Sequence, residues 1–98
     1  MKITKGQSGT ALTVAVNGRI DTTTAPELEA VLGESLGGVE KLVLDLKELD
    51  YISSAGLRVL LSTQKKMNKQ GEMIVKNVSE SVNEVFEITG FSDILTIE

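Results

Sequence analysis

Five residues near the middle of the chain, Leu42-Val43-Leu44-Asp45-Leu46, form a β-rich run that is apolar on both faces. Such a run belongs at the centre of a sheet that helices cover on at least one side. The flanking segments can provide that cover. Upstream, Leu28, Val31, Leu32 and Leu36 recur at helical spacing, and downstream Leu57, Leu60, Leu61 and Met67 sit in a second apolar-periodic stretch. A layered α/β arrangement follows, and 98 residues fit one domain, 1–98, with one modest core.

The remaining elements arrange themselves around that strand. Thr10 to Val16 alternates, with Leu12, Val14 and Val16 on one side and Ala11, Thr13 and Ala15 on the other, which predicts a strand with one well-packed face. The turn-like Gln7-Ser8-Gly9 makes Lys2 to Lys5 the other arm of an antiparallel hairpin, and Gly18 is expected to end the second strand. Thr24 to Glu27 reads as a T-x-x-E capping box with Pro26 in the first turn, opening a helix that Gly37-Gly38 stops. After a turn over 47–50 and the pair Tyr51-Ile52, Ser54 to Lys69 reads as a longer helix ended by Gly71, its Lys-rich end matched to the helix dipole. Glu72 to Lys76 is a strand. Ser79 caps a third helix carrying Val82, Val85 and Phe86 on one face, and Gly90 suits the left-handed position that would let Phe91 fold back onto Phe86. Ile94 to Ile97 closes the chain as a short strand or extended tail. The order β-β-α-β-α-β-α, with or without a last strand, implies a mixed sheet: an N-terminal antiparallel hairpin, parallel members joined by right-handed crossovers, and helices packed on the sheet.

Composition narrows the chemistry. The chain contains no His, no Cys and no Trp. A Ser-His-Asp or Cys-His nucleophile, an imidazole base and the usual N/S zinc site are therefore excluded, and no disulfide can form. The fourteen acidic residues are scattered rather than clustered, and no phosphate-cradling G-x-x-x-x-G-K-[ST] or G-x-G-x-x-G loop is present. No cofactor is expected. A net charge of −4 with only two arginines, Arg19 and Arg58, argues against a nucleic-acid partner. No stretch reaches the roughly 20 apolar residues of a membrane span, and the N-terminus lacks the apolar block of a signal peptide. The expectation is a cytoplasmic, monomeric protein whose partner is another protein.

The segment Asp45 to Leu61, DLKELDYISSAGLRVLL, is the informative one. Its strand turns into a helix through Ile52-Ser53-Ser54-Ala55-Gly56, which places two hydroxyls at a helix N-terminus, where backbone N–H groups and the dipole favour anions. A serine there is most often a cap. YISSAGLRVLL together with the upstream GRIDTTTAPEL, Gly18 to Leu28, resembles the STAS domain of bacterial anti-sigma-factor antagonists, and the resemblance extends over essentially the whole chain, including the late helix ending in TGF. It implies that a serine at the start of this helix is phosphorylated by a partner anti-sigma factor that is a serine kinase, and that a serine phosphatase reverses it. Aligning on Gly56-Leu57 puts the phosphorylated residue at Ser54. Ser53 then stands where the family usually has Asp, and Ala55 where it has a second hydroxyl. The family's loop Asp corresponds to Asp21 and the threonine after it to Thr24. The residues implied to meet the partner are Asp21, Thr24, Ser53, Ser54, Ala55, Gly56 and Arg58, with ATP and Mg²⁺ belonging to the kinase.

A phosphoserine adds about −1.5 to −2 charges. At an exposed helix N-terminus that charge is welcome by roughly 0.3–1 kcal/mol, so the switch must act at an interface rather than by unfolding the domain. Arg58, one turn after Ser54, is placed either to pair with the phosphate or to touch the partner. Two other readings stay open: a STAS subunit of a lipid-transport or scaffold assembly that never switches, and a weak nucleotide site at the Ser54 helix N-terminus.

Overall fold

The computed structural model describes every residue from Met1 to Glu98. Strands β1 (Lys2–Ser8) and β2 (Ala11–Ile20) form the expected antiparallel hairpin, joined by a two-residue turn in which Gly9 has φ +61°. Helix α1 (Ala25–Ser35) crosses to β3 (Lys41–Asp45), and β4 (Leu49–Ile52) leads into helix α2 (Ser54–Gln70). Strand β5 (Glu72–Lys76), helix α3 (Glu80–Thr89) and a 3₁₀ turn over Phe91–Asp93 complete the chain. The sheet order is β1-β2-β3-β5, with β3 and β5 parallel to β2. The fold is the mixed α/β sheet with helical cover that the pattern implies.

Alternation in the strands decides which face is dry. Leu12, Val14 and Val16 of β2, Leu42 and Leu44 of β3, and Met73 and Val75 of β5 join one cluster of 23 buried residues with Leu28 and Leu32 of α1, Leu60 and Met67 of α2, and Val82 and Phe86 of α3. The opposite face carries the smaller Ala11, Thr13 and Ala15, and there Ile74 is buried outside that cluster. Burying a core side chain such as Leu60 or Phe86 contributes about 1.5–3 kcal/mol, so this cluster is the main cohesive term of the fold.

Two local expectations are corrected. Gly18 does not end β2. At φ +104° it starts an irregularity in register, after which β2 continues to Ile20 and pairs in parallel with β4. Leu49 and Asp50, read as part of the turn, therefore join Tyr51-Ile52 in a strand, and only Lys47-Glu48 remains a turn. Helix α1 ends at Ser35 with Leu36 as its C-cap, the Leu36 N–H bonded to the Leu32 carbonyl, so Gly37-Gly38 follows the cap directly, where the stop was read. Of the two readings of the C-terminus, short strand or tail, the structure has the tail, with one parallel bridge from Ile97 to Val75 after the 3₁₀ turn. Other punctuation is as read: Ser79 caps α3 by accepting the Val82 N–H at 3.3 Å, Gly90 is left-handed, and Phe91 packs against the core that holds Phe86. At Gly71 the limit is close approach, since a Cβ would collide with the Glu40 backbone.

Candidate functional site

A register shift opposite Gly18 and Arg19, where β4 carries the extra residue Asp50, sets the site's geometry. It lets the end of β2 run beside β4, and the Ser53 N–H then donates to the Ile20 carbonyl at 2.8 Å. Asp21 and Ser54 consequently emerge side by side, each one residue beyond a paired backbone position, at the carboxyl ends of two parallel strands. Ligands and partners meet open α/β sheets at such strand ends.

The two serines divide the work at the start of α2. Ser53 is the N-cap: its backbone is extended (φ −92°, ψ 176°), its side chain accepts the Gly56 N–H at 3.4 Å, and its carbonyl accepts the Leu57 N–H at 2.9 Å. Ser54 is the first helical residue, exposed, and its hydroxyl makes no hydrogen bond within the protein. The first turn contains no acidic side chain. An unclaimed hydroxyl thus sits at the positive end of a 17-residue helix.

The helix end is seated by Gly56. A Cβ at this position would lie 2.6 Å from Ile20 Cγ2 and 2.7 Å from Ile52 Cγ1, so only glycine lets α2 rest on the ends of β2 and β4. Gly56, expected among the partner-contacting residues, is buried and serves packing instead. Ala55 is half-buried. With Thr22 of the neighbouring loop, Arg58 and residues of α1, it lines a shallow cavity of about 190 Å³ between the starts of α1 and α2.

Asp21 organises the loop that enters α1. Its Oδ1 accepts the Thr23 hydroxyl at 2.7 Å and the N–H groups of Thr23 and Thr24 at 3.0 and 3.1 Å. The carboxyl is held down to about pKa 2, first by the Thr23 hydroxyl and then by the Thr24 amide, because these donors favour its charged form. Thr24 does not make the expected capping box. Its backbone is already helical, and its hydroxyl points back to accept the Asp21 N–H at 2.8 Å, with the Arg19 carbonyl 2.9 Å away. A side-chain cap needs an extended backbone, so the early donors near the helix start go to the Asp21 carboxylate and carbonyl instead.

Two further residues at this edge escape sequence reasoning. The Arg19 guanidinium lies 4.4 Å above the Tyr51 ring, its Nε 3.7 Å from Asp21 Oδ2. Arg19 and Tyr51 are cross-strand partners only because of the bulge register. The one usable signal was that the single tyrosine of the chain sits beside the serine motif.

This arrangement matches one family model, the STAS domain, over residues 2–98. The chain belongs to the STAS domain family. Among curated relatives, a putative anti-sigma factor antagonist of Bordetella bronchiseptica is 40% identical, with 99% of this chain and 85% of that protein covered. An anti-sigma-B factor antagonist of Staphylococcus aureus is 34% identical over 86% of this chain and 80% of its own length. Among solved structures, an anti-sigma factor antagonist from Mycobacterium paratuberculosis superposes with a TM-score of 0.89 at 26% identity, covering 98% of this STAS domain and 83% of that chain. The Bacillus protein SpoIIAA, at 16% identity, shares the fold in its unphosphorylated and phosphorylated forms with TM-scores of 0.78 and 0.77, each over 99% of this domain and over 87% and 91% of the two SpoIIAA chains.

Proposed function

We propose that this STAS domain is an anti-sigma-factor antagonist: unphosphorylated, it binds a serine-kinase anti-sigma factor and frees the sigma factor, and phosphorylation of Ser54 ends that binding. The observation that carries this reading is the Ser54 hydroxyl, exposed at the first position of α2 and left without a hydrogen bond because Ser53 does the capping. The names of the Bordetella and Staphylococcus relatives support the same class of function.

The domain is then a substrate rather than a catalyst. The partner supplies ATP, Mg²⁺ and the base; Ser54 Oγ bonds to the γ-phosphorus, its proton passes to the partner, and ADP leaves. A serine phosphatase restores the hydroxyl by hydrolysis. The dianion is tolerated by the helix end but not by a docked interface, where it brings desolvation cost and sits beside the Asp21 carboxylate. Asp21, Thr24 and Ser53 shape the surface around Ser54, with Ala55 and Arg58 on its α2 side. A protein acting on sigma-factor regulation works in the cytoplasm, and we assign it as a monomer.

The test is intact mass after incubation with the kinase and ATP. One phosphate is expected on the wild type and none on Ser54→Ala. No phosphate on the wild type, or phosphate retained by the variant, refutes the assignment.

A further inference from the structure

Helix α2 carries four of the ten cationic side chains of the protein and none of its fourteen acidic ones, in a chain of net charge −4. The helix dipole accounts only for Lys69, the one basic residue in the last turn. Arg58, Lys65, Lys66 and Lys69 are all exposed, and the sole ion pair in the molecule, Arg19 with Asp21, involves none of them. Keeping a helix soluble does not demand this composition. The charges of α1 are Glu27, Glu29 and Glu34, and those of α3 are Glu80, Glu84 and Glu87.

The placement of these charges relative to Ser54 is specific. At 3.6 residues per turn, Ser54, Arg58, Leu61, Lys65 and Lys69 fall within about 80° of arc and extend roughly 22 Å along the helix. Arg58, Ser62, Lys65, Lys66 and Lys69 border one shallow groove on that face. The basic stripe therefore starts one turn beyond the hydroxyl and continues along the same side of the helix.

We infer that this stripe is the docking strip for an acidic surface on the anti-sigma factor that reaches Ser54. The inference rests on the Ser54 reading above and names the chemistry of that partner. A kinase whose catalytic cleft takes the Ser54 hydroxyl must lie over the arc the stripe occupies, and three unpaired cations on that arc, Arg58, Lys65 and Lys69, with Lys66 at its border, select an acidic counter-surface. The sign of the switch follows. A phosphate on Ser54 sets a dianion at the head of the stripe, facing acidic groups that the unmodified helix attracts. An anionic membrane fits less well, because the only apolar side chain on this arc, Leu61, is half-buried and offers nothing to insert.

The experiment measures association rates with the anti-sigma factor that phosphorylates the domain, using unphosphorylated protein at low and high salt. Lys65→Glu/Lys69→Glu is expected to slow association roughly tenfold at low salt and to flatten its salt dependence, as removal of steering charges does. Lys65→Gln/Lys69→Gln should give a smaller loss in the same direction. Lys2→Glu/Lys41→Glu, with the same change in net charge away from α2, should stay within about twofold of wild type. Circular dichroism of each variant checks that α2 is intact. If the α2 variants associate like the Lys2/Lys41 control while Ser54 still accepts phosphate, the docking strip is refuted and the Ser54 reading stands. If the wild type neither binds nor accepts phosphate, both fall. Loss of binding to phosphatidylserine vesicles, or of concentration-dependent dimer, with the association rate unchanged assigns the stripe to a membrane or a second copy and overturns the inference.

Discussion

Helices α2 and α3 both begin on a serine with extended backbone that accepts an N–H three residues on, Ser53 from Gly56 at 3.4 Å and Ser79 from Val82 at 3.3 Å. They differ in the next residue. α3 continues with Glu80, which already places a carboxylate at the positive end of its helix, whereas α2 continues with the neutral, unbonded Ser54 and has no acid in its first turn. The same cap thus supports a finished helix start in one place and one still open to a negative charge in the other. Ser53 in place of the usual Asp exchanges one good cap for another and leaves the neighbourhood of Ser54 less negative.

Exchanging the two starts should have opposite consequences. Ser54→Glu makes α2 begin as α3 does. It is expected to cost about 3 kcal/mol of binding to the anti-sigma factor, roughly a hundredfold in Kd, while the thermal midpoint stays level or rises. Glu80→Ser makes α3 begin as α2 does and should change that affinity less than about twofold, because the start of α3 is seated on β4, its cap serine on the Leu49 carbonyl, rather than on α2. Titration calorimetry on the two variants decides. Equal losses would mean that overall charge, not the position of Ser54, controls binding.

A second difference lies beneath the helix starts. α2 is pinned to the strands by Gly56, whereas Gly33 in α1 has open space where its Cβ would be. Gly56→Ala forces a methyl against the stiff side chains of Ile20 and Ile52 and should destabilise the domain by about 1–3 kcal/mol. Gly33→Ala should instead stabilise it by about 0.5–1 kcal/mol, the usual gain for removing glycine from a helix interior. Urea unfolding of both separates them. A neutral Gly56→Ala would show that α2 can lift from the strand ends, and that the Ser54 hydroxyl is less firmly placed than its contacts imply.

The caps themselves should be nearly equivalent. Ser53→Ala and Ser79→Ala are each expected to cost about 1 kcal/mol in urea unfolding. A much larger cost at Ser53 would point to coupling between its cap and the Ser53–Ile20 backbone bond that holds α2 beside β2.

What could be read from the chain follows the range of the forces involved. The serine caps, the Gly90 stop and the apolar stripes of α2 and α3 are local signals, and the structure keeps them. β4 was hidden because Leu49–Ile52 is four residues long with only its two ends buried, an i, i+3 spacing that lacks the two-residue alternation of a strand. Gly18 looked like a stop because a breaker inside a strand and one at its end are identical in sequence; only the pairing with β4 shows a bulge. The stack of Arg19 on Tyr51 depends on that same register, and so was out of reach. Within the site, Ser54 and Asp21 were visible by motif. The burial of Gly56 and the reversed Thr24 hydroxyl were not, since both arise from contacts between segments about 30 residues apart or from competition for the same few donors.

That competition leads to the smallest expected effect, at the third helix start. In α1 the role played by a serine cap elsewhere falls to the Asp21 carboxylate, and its charge is what holds Thr23 and Thr24. The carboxyl pKa is about 2 in the folded protein against an ordinary 3.8. A folded pKa below the unfolded one means that the contribution is fully present above about pH 4 and is lost as pH falls through about 2. Carboxyl-carbon NMR of Asp21 should therefore titrate with a midpoint near 2, with the Thr23 and Thr24 amide signals moving in the same window. Thr23→Val removes the strongest donor and should raise the midpoint toward 3.8, whereas Arg19→Gln should barely move it, because an exposed pair at 3.7 Å adds little to a carboxylate already held by hydroxyl and amide groups. If Arg19→Gln shifted the midpoint as far as Thr23→Val, the loop would be held by charge rather than by hydrogen bonds. Asp21 would then be exposed to the same like-charge repulsion from a Ser54 phosphate that the partner's surface is, and phosphorylation would loosen this loop as well as release the partner.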